Sequence, residues 1–165
     1  FISHVKQSKG INEILEVSKR LPPNYILDIY GPIRDNSYTS DYFNQYNITY
    51  HGSLEPDQVS NTLINYDVLL LPTFHAGEGY PGIIIEAFSL GIPVITTNFG
   101  GIPEIVTDQY NGKLISPKNI EELEKAILSF NSTNYAGYSR NALHSFAENF
   151  DSETVNKRIV DKIIS

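Results

Sequence analysis

The alternation of strand, loop and helix in this chain is clearest in the stretch Val68-Leu69-Leu70-Leu71-Pro72-Thr73-Phe74-His75-Ala76-Gly77-Glu78-Gly79-Tyr80-Pro81-Gly82-Ile83-Ile84-Ile85-Glu86-Ala87. It begins with a continuous apolar run, passes through a glycine-rich loop and ends in apolar residues at helical spacing. A continuous apolar run is typical of a parallel strand covered on both faces. We therefore predict a buried strand, a loop, and a helix over 83–90 that has Pro81 in its first turn and ends at Gly91.

The rest of the chain repeats this pattern. Strands are predicted at 26–30, 48–51, 68–71, 93–96 and 112–115, and helices at 11–18, 57–63, 83–90, 119–130, 135–149 and 152–164, with Asn119 as an N-cap. Such alternation implies crossover connections and a parallel sheet. The predicted fold class is α/β, a Rossmann-like doubly wound parallel sheet flanked by helices, in one domain over residues 1–165. Ligands of such sheets bind beyond the carboxyl ends of the strands.

Composition excludes several classes of protein. The chain has 165 residues, 41% of them apolar, a net charge of −7 and no cysteine. The acidity argues against a nucleic-acid partner and against an electrostatic membrane anchor. The lack of cysteine excludes disulfides and zinc–sulfur sites and fits a cytoplasmic protein. No apolar run approaches the roughly 20 residues that span a bilayer. The opening Phe1-Ile2 looks like the inside of a strand, so we expect a fragment of a longer protein.

The glycine-rich loop is the strongest candidate for a binding site. Its glycines let a ligand approach the main chain, and the free N–H groups of the next helix favour a phosphate. Glu78 and Glu86 are eight positions apart. Two carboxylates at this spacing can each bind a pair of sugar hydroxyls, with a diphosphate between them. The spacing alone equally allows a glutamate that compensates the helix dipole.

Several motifs together resemble one family. The segment from Glu78 to Glu86 resembles the Glu-x7-Glu signature of the retaining glycosyltransferases of family 4, which have the GT-B fold. Further blocks follow in the family's order, namely Lys9-Gly10, Tyr50-His51-Gly52, Asp67 to Pro72, Gly100-Gly101-Ile102-Pro103-Glu104-Ile105-Val106 and Asn111-Gly112. The resemblance covers essentially the whole chain. It implies that the chain is the C-terminal, donor-binding half of a GT-B architecture.

The resemblance also implies a role for each matching residue. Glu86 would hold the ribose hydroxyls. The catalytic pair would be Glu78, at the transferred sugar, and Lys9, which would neutralise the diphosphate as the nucleotide leaves. The remaining donor-binding positions are the backbone of Gly79, Tyr80, Pro81 and Gly82 at the sugar and diphosphate, and Gly52 to Leu54 at the base.

The chain departs from the family pattern in three places. Ser3-His4 stands where the family has Gly-Arg, whose arginine is a second diphosphate cation, and we expect His4 or Lys6 to replace it. The loop from Pro72 to Glu78 is slightly longer and contains His75, which is either donor-binding or a hydrogen-bonding residue of the loop. Pro81-Gly82 replaces the commoner Gly-x, a variation found in surface-polysaccharide members.

The function implied by the resemblance is hexosyl transfer with retention from a UDP- or GDP-sugar, in surface polysaccharide or glycoconjugate synthesis. No cofactor and no metal are expected, since cations replace the metal. The expected partner is a missing N-terminal domain of the same chain. Any contact with the inner face of the membrane would be made by that domain. Without it, the fragment is expected to be inactive.

Other interpretations remain open. The chain is alternatively a non-catalytic nucleotide-sugar-binding module or a sugar-nucleotide epimerase of related fold. A glycosidase with Glu78 and Glu86 as acid and base is disfavoured, because glycosidase carboxylates usually arise from different strands. Glu104 is a helix-capping residue or a ligand contact, while His51 and His144 are expected to be structural.

Overall fold

The computed structural model describes residues 1–164; residue 165 and the side chains of 159 and 162–164 lie outside the description. Strands and helices alternate along most of the chain. The strands are β1 (Leu27–Ile29), β2 (Ile48–Tyr50), β3 (Leu69–Leu71), β4 (Val94–Thr97) and β5 (Gly112–Ile115). The α-helices are α1 (Ile11–Ser18), α2 (Val59–Leu63), α3 (Gly82–Ser89), α4 (Ile120–Leu128), α5 (Tyr135–Asn149) and α6 (Ser152–Ile164). Short 3₁₀ helices span Gln7–Lys9, Ser40–Gln45, Pro56–Gln58 and Ile102–Glu104.

The predicted α/β class and parallel strands are confirmed. β1 pairs in parallel with β2, and β3, β4 and β5 pair in parallel in that order. Each strand lies within one residue of its predicted ends. β3 and β4 are buried along their whole length, and their side chains share one hydrophobic core with those of α1, α3 and α4. Their continuous apolar sequences match this burial on both faces.

The sheet is divided into two parts rather than continuous. The segment 1–5 runs parallel to the end of β1 but makes only isolated bridges, Ile2 with Tyr30 and Val5 with Ile33. Between these two bridges the chain passes through Gly31, where φ is 130°. The sequence pattern of short apolar runs carries no signal for this break.

The predicted helix ends are largely confirmed. The Asn119 side chain accepts a hydrogen bond from the Glu122 N–H and caps α4, and Gly91, with φ of 70°, follows the last residues of α3. Pro81 differs from the prediction. With ψ of 116° it is still extended, so it is the N-cap of α3 and the first turn begins at Gly82.

A large cavity of about 790 Å³ lies between the two parts of the sheet. Its lining includes Leu27 and Asp28 at the start of β1 and Val68 and Leu69 at the start of β3. It therefore opens at the amino ends of these strands. The loops predicted to bind the donor leave the opposite, carboxyl ends.

The buried carboxyl of Glu13 in α1 gives a pH-dependent prediction. Its Oε2 has no hydrogen-bond partner among the described residues, and burial raises its pKa above the ordinary 4.5. The folded protein thus holds this proton more tightly than the unfolded chain, so the free energy of unfolding falls as pH rises through the window above 4.5. Glu13→Gln, which resembles the protonated acid, is expected to raise that free energy near neutral pH by about 1 kcal/mol.

Urea unfolding of both proteins near neutral pH and at about pH 4 checks this prediction. The gain should vanish at the lower pH, where Glu13 itself is protonated. An equal gain at both pH values would contradict the titration account.

Candidate functional site

The glycine-rich loop and the start of α3 form the centre of the site. β3 ends at Leu71, and the loop 72–81 leads to the first turn of α3. The N–H groups of Gly82 and Ile83 have no acceptor within the described part of the chain. These N–H groups and the helix dipole make this end of α3 favourable for a phosphate group.

Lys9 and Glu78 are brought into direct contact across this loop. The Lys9 Nζ lies 2.5 Å from Glu78 Oε2, and the two side chains are only 13% and 8% exposed. The residues are 69 positions apart in sequence. The two groups that the resemblance marks as catalytic therefore neutralise each other's charge.

Thr73 joins the loops that carry this pair. It is fully buried, and its hydroxyl lies 2.6 Å from Glu78 Oε2 and 3.3 Å from the Ser8 carbonyl. The Phe74 N–H donates to the same Ser8 carbonyl at 2.9 Å. Thr73 thus orients Glu78 and ties its loop to the segment that precedes Lys9. Sequence reasoning missed this residue, because the Ser8 carbonyl that it contacts lies 65 positions away along the chain.

Two glycines allow the loops to approach each other. A Cβ on Gly10, where φ is 82°, would overlap the Pro72 carbonyl, and a Cβ on Gly100, where φ is 58°, would overlap the Glu78 carbonyl. The Gly101 N–H donates to that same Glu78 carbonyl at 3.3 Å. The Lys9-Gly10 and Gly100-Gly101 motifs are therefore explained by main-chain contacts with the glycine-rich loop.

Gly100→Ala is expected to lower the free energy of unfolding by about 2 kcal/mol, because alanine is strained at positive φ and would push against the Glu78 backbone. Chemical denaturation measures this loss. The matched control is Gly137→Ala in α5, where a Cβ meets nothing within 4 Å. This control is expected to stabilise the helix by about 0.5–1 kcal/mol. Equal effects of the two substitutions would contradict the close-packed loop.

Glu86 lies one turn into α3, the helix whose N-terminal end forms part of the centre of the site. Its carboxylate accepts no hydrogen bond from the described residues, and burial raises its pKa. A half-buried carboxylate of this kind is costly to ionise without a donor partner. A ligand hydroxyl pair would supply the missing hydrogen bonds.

Tyr80 and Glu104 connect the loop to the 3₁₀ helix Ile102–Glu104. Tyr80 is 53% exposed, and its hydroxyl donates a hydrogen bond to Glu104 Oε2. The Glu104 carboxylate raises the pKa of Tyr80. Glu104 makes no side-chain cap in the structure; its hydrogen bond instead links the 3₁₀ helix to the glycine-rich loop.

The histidines occupy different positions. His75 Nδ1 lies 3.4 Å from the Ser8 hydroxyl, which links the long loop to the segment before Lys9. His51 Nε2 lies 3.0 Å from Asp28 Oδ1, and its ring stacks on Tyr30 at 4.5 Å between centroids. His4 is exposed at the end of the segment 1–5. Burial lowers the pKa of His4, and nearby cations lower it further.

The predicted base-binding segment lies at the same edge of the sheet. Gly52 to Leu54 directly follow β2, and the Gly52 carbonyl accepts a hydrogen bond from the Gly31 N–H at 2.7 Å. Gly52 is therefore tied to the loop after β1. Its contact with a nucleotide base remains a prediction, as do the ligand roles of the other site residues.

No group of three or more His, Cys, Asp or Glu residues in the described chain is arranged to hold a metal ion. Within the described residues, no helix is both long enough and apolar enough to cross a bilayer.

Comparison with known proteins decides the family. The sequence profile of the family described as glycosyl transferases group 1 matches residues 1–150. The chain belongs to this family. Among solved structures, the chain superposes on Anabaena HepE in complex with UDP-glucose with a TM-score of 0.84 at 20% identity, covering 98% of this chain and 47% of HepE. It also superposes on the C-terminal domain of LpcC from Francisella tularensis with a TM-score of 0.78 at 20% identity, covering 92% of this chain and 85% of that one. These likenesses confirm the fold as one half of a GT-B architecture.

Sequence relatives place the chain among longer glycosyl transferases. TuaC of Bacillus subtilis, named for a glycosyltransferase of teichuronic acid biosynthesis, is 28% identical over 132 residues, which cover 79% of this chain and 32% of TuaC. The sulfoquinovosyl transferase SQD2 of Arabidopsis thaliana is 26% identical over 125 residues, which cover 73% of this chain and 24% of SQD2. The glycosyl transferase group 1 chain thus spans about a third of the length of TuaC.

Proposed function

We propose that this chain binds a nucleoside-diphosphate sugar at the carboxyl edge of its sheet and, with an N-terminal domain, transfers the sugar to an acceptor with retention. The observation that carries the proposal is the meeting of Lys9 and Glu78 beside the free N-terminus of α3. A cation, a carboxylate and unpaired N–H groups match the charges and hydroxyls of such a donor. The UDP-glucose complex of HepE, which shares this fold, supports the same class of ligand.

Each group of the proposed site has a role that suits its chemistry. The N–H groups of Gly82 and Ile83 and the Lys9 ammonium would hold the diphosphate. The Lys9 charge would stabilise the nucleotide as it leaves with an additional negative charge. Glu86 would accept hydrogen bonds from the ribose hydroxyls, and Glu78 from the transferred sugar. These protein groups supply the charge compensation for which a metal is otherwise used, so we propose that the reaction needs no metal and no cofactor.

The acceptor would be held by the N-terminal domain, and the cleft between the two domains would orient both substrates. The names of relatives such as TuaC support a role in surface polysaccharide synthesis. We propose a cytoplasmic protein whose contact with the membrane is made by that other half.

The test is the affinity of the chain for UDP, GDP and ADP, measured by calorimetry. We expect at least one of them to bind, and Glu86→Ala to weaken binding by about tenfold or more through the loss of charge-assisted hydrogen bonds to ribose. The matched control is Glu121→Ala, since Glu121 is exposed in the first turn of α4. Failure of every nucleotide to bind at millimolar concentration would contradict the proposal.

A deoxynucleotide sharpens the assignment of Glu86. If its carboxylate holds the ribose hydroxyls, the 2′-deoxy form of the preferred nucleotide should bind the wild type more weakly. Glu86→Ala should then lose most of its discrimination between the two nucleotides. Undiminished discrimination in the variant would place the ribose elsewhere.

A further inference from the structure

A group of basic side chains surrounds the end of the segment 1–5. We call His4, Lys6, Lys9 and Arg34 the basic edge. Arg34 comes from a different loop, the one after β1. Its N–H donates to the Val5 carbonyl at 3.0 Å, while the Val5 N–H donates to the Pro32 carbonyl at 2.9 Å. These two hydrogen bonds fix Arg34 beside the backbone that carries His4 and Lys6.

The charges of the basic edge act on one another. The pKa of His4 is lowered first by burial and then by the positive charges of Arg34, Lys6 and Lys9, with a smaller effect from His75. Groups that perturb the same imidazole lie within electrostatic reach of it. The geometry of the two loops and this mutual repulsion therefore indicate the same local concentration of positive charge.

The basic edge is short of acidic partners. Lys9 is paired with Glu78, but neither Lys6 nor Arg34 makes an ion pair with any described side chain. The neighbouring Asp35 carboxylate instead accepts the Ser37 N–H at 3.0 Å. The pKa of Asp35 is lowered by its hydrogen bonds from Ser37 and also by one from the Gln7 backbone. Four basic side chains here face the two carboxylates of Glu78 and Asp35, so in a chain of net charge −7 this positive excess is a local feature. Such a region attracts an anionic ligand.

We propose that Arg34 is a second diphosphate-binding residue, which contacts the donor's phosphate oxygens from the loop after β1; this rests on the proposed function. A guanidinium keeps its charge at all working pH values and forms paired hydrogen bonds with phosphate oxygens. The lowered pKa of His4 makes its cationic form less populated than that of an ordinary histidine. Arg34 thus supplies a permanent charge where His4 does not.

The experiment compares the affinity of wild type, Arg34→Gln and Arg34→Lys for UDP and for uridine, by calorimetry or NMR titration. Arg34→Gln is expected to weaken UDP binding by about tenfold or more and to leave uridine binding unchanged, because uridine has no phosphate. Arg34→Lys is expected to recover only part of the affinity. The control is Arg20→Gln. Arg20 follows the C-terminal end of α1, whereas Lys9 precedes its N-terminal end. The Arg20 guanidinium pairs with Glu124 at 3.4 Å.

Three outcomes would overturn the role of Arg34. In the first, Arg34→Gln binds UDP as tightly as the wild type, whereas Lys9→Met binds UDP more weakly. This outcome leaves the proposed function intact. Another is an equal loss for UDP and uridine, which indicates a structural effect. The third is full recovery by Arg34→Lys, which indicates attraction at a distance rather than direct contact. If the wild type itself binds no UDP, GDP or ADP, the proposed function fails together with this assignment.

Discussion

Lys9→Met is expected to lower the affinity for a nucleoside diphosphate by about 100-fold, on the scale of two charge-assisted hydrogen bonds. It is also expected to lower the free energy of unfolding by about 3 kcal/mol, because it leaves the Glu78 carboxylate buried without its cation. Thr73 would still donate its hydrogen bond to Glu78 but carries no charge. Calorimetry and urea unfolding measure the two effects separately.

The control for this substitution is Lys19→Met. Lys19 pairs with Glu16 at 2.8 Å on the surface, where the side chains are 49% and 44% exposed. Its loss should change the free energy of unfolding by less than about 1 kcal/mol. Adding Glu78→Gln to Lys9→Met should restore stability but leave the affinity well below that of the wild type, which separates the two roles of Lys9. A double variant that recovers both would show that Lys9 acts only through the fold.

Glu78→Gln is expected to have the opposite effect on the nucleotide. Removing this carboxylate frees the Lys9 ammonium and removes a negative charge next to the diphosphate. An electrostatic change of about 1.4 kcal/mol would raise the affinity for UDP about tenfold. Sugar transfer by the full-length protein should instead fall by about 100-fold, because the neutral amide replaces the carboxylate at the transferred sugar.

Titration of UDP into Glu78→Gln and into the surface control Glu121→Gln checks the first part. If the diphosphate competes with Glu78 for the Lys9 ammonium, Lys9→Met should weaken UDP binding and Glu78→Gln should strengthen it. A purely structural ion pair would instead weaken binding in both variants, and that result would contradict this interpretation.

Much of the fold could be predicted from local sequence patterns. Continuous apolar runs placed β3 and β4, and Asn119 and Gly91 placed helix ends, because each of these signals depends on neighbouring residues. The 3₁₀ helix Ser40–Gln45 was missed, since so short an element has no clear periodicity. Its Phe43 is nevertheless buried and stacks on Tyr50 at 4.9 Å between ring centroids.

The site was predictable where a motif is contiguous and less so where it is assembled from distant loops. The segment from Glu78 to Glu86 could be identified by its spacing, and Lys9-Gly10 by its resemblance. The ion pair between Lys9 and Glu78, the contact of Thr73 with Ser8 and the position of Arg34 depend on contacts between separate loops. No pattern within a single stretch of sequence contains that information.

The most direct measurement is chemical-shift mapping of the labelled chain during titration with UDP. We expect the largest amide shifts at the carboxyl edge, in residues 9–10, 34, 52–54, 79–80, 82–83 and 86. Shifts concentrated in residues 24–28, 66–70 and 130–136 would instead place the nucleotide in the cavity between the two parts of the sheet. That result would contradict the donor site at Lys9, Glu78 and Glu86.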